Sequence, residues 1–222
     1  MNSTTPVCLP VIEAPSASPC DGCHGGCCRA YAVPLTGRDI YKIVAELEIP
    51  FWDFVCRWAD PAGDIAQNIS PHFYFDDNPQ TPYVICLLQN ESRLFPGTRK
   101  CRFLNESAAA DASHGVQGRC AIYEQRPVAC RVFPARFDGL GELAVHEVPA
   151  APAASEQAAY ELCPRPWSVA DLDSRTARRN LRECAGEMEL FHSIASRWNE
   201  NPGSWRLFPQ FLDFVYRALA VA

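Results

Sequence analysis

No stretch of this 222-residue chain approaches the ~20 consecutive apolar residues that a membrane-crossing helix needs, so no membrane partner is expected. A basic excess is missing as well. The chain has 26 acidic and 20 basic residues, a net charge of −6, which argues against general binding to nucleic acid or anionic lipid. Residues 1–19 lack the basic start and apolar middle of a secretory leader. Rich in Pro, Ser and Thr, they are expected to be a disordered lead-in containing Cys8, and the cytosol is the expected compartment. No Gly-x-Gly-x-x-Gly, phosphate loop or Gly-x-Ser-x-Gly pattern occurs. Histidine is scarce, and His72, His114, His146 and His192 show no metal-ligand spacing.

Cysteine is what the chain has in abundance: twelve residues, four of them (Cys20, Cys23, Cys27 and Cys28) within nine positions. In a reducing compartment this number points to metal before disulfides; export would reverse that preference. Three cysteines have plain readings without metal, Cys56 as a bystander and the other two as core residues. Cys56 lies off an apolar stripe, Cys86 sits inside a strand-length apolar run, and Cys184 occupies a core position of a long helix. Setting these and Cys8 aside leaves Cys20, Cys23, Cys27, Cys28, Cys101, Cys120, Cys130 and Cys163 as candidate ligands. Thiolates select zinc or iron–sulfur clusters. Eight thiols satisfy two four-coordinate zinc sites, or one cluster with cysteines to spare; the spacing does not choose between them. His24, between two cysteines, is a lesser candidate. Arg29, Lys100, Arg102, Arg119 and Arg131 flank the candidates and are expected to favour the thiolate form.

The surrounding pattern predicts an α+β fold: a small irregular cysteine-cluster core with short strands, plus a helical C-terminal part. Thr36 and Asp39 form a capping-box signature before Ile40, Ile43, Val44 and Leu47. Pro50 is expected to open a second helix with Phe51, Phe54, Val55 and Trp58 on its apolar face. Strands are expected at 83–88, 101–104 and 119–123, with a mobile surface loop over 105–118. Pro127 should enter a helical turn containing Cys130, and 135–148 should form a hairpin around Asp138 to Gly141. Residues 149–157 read as a linker. Ser168 and Asp171 suggest a helix start, followed by a stripe of Leu181, Cys184, Met188, Phe191, Ala195 and Trp198. A final helix carries Phe208, Phe211, Leu212, Val215 and Leu219. The division expected is a lead-in over 1–19, a metal-binding domain over 20–165 and a helical extension over 166–222.

Cys20 to Cys28 followed by Val33-Pro-Leu-Thr36, then Cys101-Arg-Phe-Leu104, Cys120-Ala-Ile-Tyr-Glu-Gln-Arg-Pro-Val-Ala-Cys-Arg-Val-Phe-Pro134 and Cys163-Pro164, resemble the YkgJ-like cysteine-cluster family of zinc- or iron-chelating domains. The first motif departs from the family's usual Cys-x-x-Cys-x-x-Cys-Cys by one extra residue before Cys27. The resemblance implies a domain holding an iron–sulfur cluster or zinc, and makes Tyr123, Glu124, Arg126 and Arg131 candidates for surrounding the ligands. On this basis the expected function is a cytosolic protein holding an iron–sulfur cluster through both signatures, supporting electron transfer or modification of another protein. A zinc-stabilised binding module without redox activity is the alternative. A similar cysteine domain in flagellin lysine-N-methylase implies a third, a methylase acting on protein lysine.

Overall fold

The computed structural model describes residues 20, 23–67, 69–111, 113–147, 158–163 and 165–221. The expected lead-in over 1–19 and linker over 149–157 lie outside these residues. A short helix α1 (Cys27–Ala30) carries the paired cysteines. Beyond it, residues 33–35 run extended along one side of strand β3 (Asn78–Leu87), with Leu35 N–H donating to Ile85 and Leu87 N–H to Val33. Helix α2 (Gly37–Leu47) then starts on the Thr36–Asp39 capping box, with both reciprocal hydrogen bonds formed. Ile40 and Ile43 are buried, whereas Val44 is exposed; the buried face is narrower than the apolar spacing suggested.

The helix expected after Pro50 is instead one 3-10 turn (Phe51–Asp53) followed by strand β1 (Val55–Ala59). The spacing of Phe51, Phe54, Val55 and Trp58 fits a helix, but β3 offers Val55 to Ala59 a complete antiparallel ladder, and tertiary pairing overrides the local period. Strand β2 (Phe73–Phe75) pairs on the other side of β3, giving the order β1-β3-β2. One face of this sheet sends Val55, Ile85 and Leu87 into the main core. The opposite face sends Cys56, Val84 and Cys86 into a satellite cluster with Trp58 and Ala66. Cys56 and Cys86 face each other in register.

Three two-stranded ribbons follow. Strands β4 (Gln89–Glu91) and β5 (Arg99–Cys101) pair first, then β6 (Leu104–Ala108) with β7 (Val116–Cys120), and β8 (Ala135–Phe137) with β9 (Leu143–Val145). The second ribbon occupies the stretch expected to be a mobile loop. Its small and polar side chains hide the strand pattern, yet the pairing runs unbroken from Leu104↔Cys120 to Ala108↔Val116. The last ribbon is the hairpin expected around residues 138–141. Between these ribbons, Pro127 precedes helix α3 (Val128–Val132), which carries Cys130.

The Ser168–Asp171 box caps only a 3-10 turn. The long helix α4 (Ser174–Asn199) begins after it, capped by Asp173, which accepts from Thr176 N–H. Helix α5 (Phe208–Val221) closes the chain. Among the described residues no helix is long and apolar enough to cross a membrane. Phe191 and Trp198 of α4 and Phe208 of α5 meet Phe73 and Phe75 of β2, with ring centroids 5.0–5.8 Å apart. Asn199 clips the end of α4 to the same strand, accepting from Tyr74 N–H at 3.0 Å and donating to His72 C=O at 2.9 Å.

Candidate metal centre

The first cysteine motif is pressed against two distant backbone segments, and the lack of side chains at two glycines makes this possible. A Cβ on Gly26 would stand 1.8 Å from Glu161 O, and one on Gly118 would stand 2.5 Å from His24 O. The contacts are also bonded: Gly118 N–H donates to Cys23 C=O at 2.8 Å, and the Cys23 thiol points at Leu162 C=O at 3.8 Å. The end of β7 and the stretch leading to Cys163 are thereby held on either side of Cys23 to Cys28.

Cys101 ends β5 and Cys120 ends β7. In both cases the chain turns immediately, so main-chain N–H groups face the sulfur: those of Phe103 and Leu104 at Cys101, and that of Ile122 at Cys120. Cys23 repeats the arrangement, accepting from Gly25 N–H at 3.3 Å. An N–H two residues downstream directed at a cysteine sulfur stabilises its anionic form. Cys130 reaches the same region from α3.

Cys27 is central: its charge would raise Cys101, Cys120, Cys130 and Cys163 alike. Cys130 is in turn raised first by burial, then by Cys101, Cys27 and Cys120. Cys27 itself is held well above the usual thiol range by its hydrogen bond with Cys28 and by burial. Burial pushes Cys101 up to about 11 and also raises Cys120, partly offset there by Ile122 N–H and Arg126. Cys163 is raised by burial, with the Trp167 indole pulling the other way.

Two further candidates, Cys20 and His24, fall elsewhere, as does Cys184, which the sequence set aside. Cys20 is exposed at the edge of the described segment. His24 is buried, with its ring edge-on to His114 at 4.9 Å and to Phe95 at 6.0 Å; burial, His114 and Arg29 lower its pKa. Cys184 has Asp39, Arg131 and Glu183 as its charged neighbours.

Four of the five flanking bases are committed to other partners. Arg29 and Lys100 both pair with buried Glu106, Arg131 forms a two-pronged pair with Glu183, and Arg102 donates to Asp53 C=O. Arg126, stacked on the Tyr123 ring at 3.8 Å, does lower Cys120 and Cys130. Glu106 and the reach of Asp39 to α3 were not visible in the sequence. Glu106 sits in a run of Asn, Ser and Ala, and only the local half of Asp39's bonding has a motif.

The donor set fits a thiophilic cation. Several buried thiols raised by burial and by one another cannot ionise together unless a positive charge replaces their protons, and a metal ion does this. Among the described residues no three His, Cys, Asp or Glu side chains are gathered closely enough to hold one ion. Neutral thiols exert no attraction that would converge them.

A family model named CxxCxxCC and described as a "putative zinc- or iron-chelating domain" matches residues 19–158. The matched span contains every candidate cysteine from Cys20 to Cys130 and stops before Cys163. No curated protein and no solved structure matches the chain.

Proposed function

Because the chain belongs to the CxxCxxCC family of zinc- or iron-chelating domains, we propose that it holds an iron–sulfur cluster through Cys27, Cys101, Cys120 and Cys130. The observation that supports this reading is that Cys130, from α3, has Cys101, Cys27 and Cys120 as its charged thiol neighbours, brought there by three other elements. Cys23, Cys28 and Cys163 lie beside this set and complete the remaining sulfur environment; Cys20 is the outermost of the candidates. When bound, the cluster supplies one-electron chemistry at a potential set by its sulfur hydrogen bonds and burial. The chain's own contribution is to bury the sulfurs and to direct the N–H groups of Phe103, Leu104 and Ile122 at them. Such a centre serves electron transfer to another protein or supports its modification. The ten free thiols from Cys23 onward fit a reducing compartment such as the cytosol.

The decisive experiment is anaerobic purification, followed by an absorption spectrum and iron, sulfide and zinc analysis on one sample. Broad visible absorption with iron matched by inorganic sulfide is expected. A colourless protein with stoichiometric zinc overturns the cluster and makes the site a structural zinc centre.

A further inference from the structure

Helix α3 spans only Val128–Val132, and Pro127 provides no side-chain cap. A five-residue helix has no independent stability, and its first N–H groups have no partner within the helix. Val128 N–H finds one in Asp39, 89 residues earlier in the chain, whose Oδ1 accepts it at 3.0 Å. The other oxygen, Oδ2, accepts from Thr36 N–H at 3.0 Å and from Thr36 Oγ1 at 2.9 Å, closing the capping box of α2. One buried carboxylate thus caps two helices, one of them by reaching across the fold. In its last turn α3 is gripped again, by Arg131 paired with Glu183 of α4.

We propose that Asp39 is a positioning residue of the metal centre: by bridging Thr36 and Val128 N–H it fixes the orientation in which α3 presents Cys130. This rests on the reading of Cys130 as a ligand. Three variants of the full chain separate the local cap from the bridge. Thr36→Ala damages the α2 cap and leaves the bond between Asp39 and Val128 in place. Asp39→Ala removes both acceptor oxygens, so the bond to Val128 N–H is lost together with the Asp39 half of the α2 cap. Val128→Pro removes the bridged N–H at a first helical position that suits proline. Pro127, with φ −49° and ψ 148°, already has the backbone required before a proline.

The measurement is metal affinity by competition with a chromophoric chelator for the metal found in the purified protein, alongside the melting temperature of the metal-free form. Asp39→Ala and Val128→Pro are expected to weaken binding about 10–100-fold, as loss of a group that orients a ligand does. Thr36→Ala should bind like the unaltered chain, although it too melts earlier when metal-free. Unchanged affinity in both bridge variants, or an equal loss in Thr36→Ala, overturns the proposal. If Asp39→Ala does not accumulate folded, Val128→Pro decides alone. Full metal retention by Cys130→Ser is a different result, and overturns the ligand assignment instead.

Discussion

Glu106 concentrates the charge balance beneath the first cysteine motif. Its side chain accepts from Ser92 Oγ at 2.6 Å and pairs with Lys100 at 2.9 Å and with Arg29, which is itself buried over the Phe95 ring. Burial alone would push the Glu106 carboxyl up, but hydrogen bonds from Ser92, Lys100 and Arg29 outweigh it and hold it at about 2. A carboxyl depressed from its unfolded value of about 4.3 contributes stability above that value and loses it as the pH falls toward 2. Acid unfolding followed by circular dichroism should therefore show a loss between about pH 5 and about pH 2 that Glu106→Gln largely removes. At neutral pH that variant should lose about 3–5 kcal/mol, because Arg29 is left buried without its counter-charge. The cysteines make a second contrast at this scale. Cys130→Ser is expected to release the metal, whereas Cys184→Ser should retain it and lose only about 1 kcal/mol in denaturant melts. Metal analysis of both variants checks this, and an empty site in Cys184→Ser alone would contradict the placement of Cys184 beside Asp39 and Arg131.

Elements differ in how clearly the sequence announces them. The α2 cap was readable because the capping box acts within four residues, and the buried face of α4 because its stripe repeats over several turns. Strand β1 and the β6–β7 ribbon were not, since each is stabilised by a partner strand rather than by its own pattern. The flanking bases misled for the same reason: proximity in sequence placed Arg29 and Lys100 beside cysteines, while Glu106 draws both side chains to itself. Gly118 shows what this ribbon does for the site. Gly118→Ala would force β7 away from the backbone at His24, at a cost of about 1–3 kcal/mol. Cys120, two residues on, should then react faster with a thiol-labelling reagent in the metal-free protein, which mass spectrometry of the labelled peptides would record. Labelling at the unaltered rate would mean that the ribbon does not depend on this contact.

Across the whole molecule, the cysteine region and the aromatic core are one packed body. Cys101 belongs to the main core, with Cys28 and Cys120 packed against it, and the same core extends through Phe191 of α4 to Phe208, Leu212 and Tyr216 of α5. Removing metal should therefore destabilise the C-terminal helices as well as the cysteine segments. Calorimetry with and without a chelator is expected to show a single transition lowered by about 10 °C. Two separate transitions would show that the helices fold as an independent unit.

The closing contact of the site joins the Cys23 thiol to Leu162 C=O across 139 residues of chain. Chains are synthesised at about 5–20 residues per second, so the opening motif emerges roughly seven to thirty seconds before the segment that seals it. Throughout that interval its thiols stand uncovered. The contact that covers Cys23 therefore forms only late in synthesis, once residue 162 has emerged.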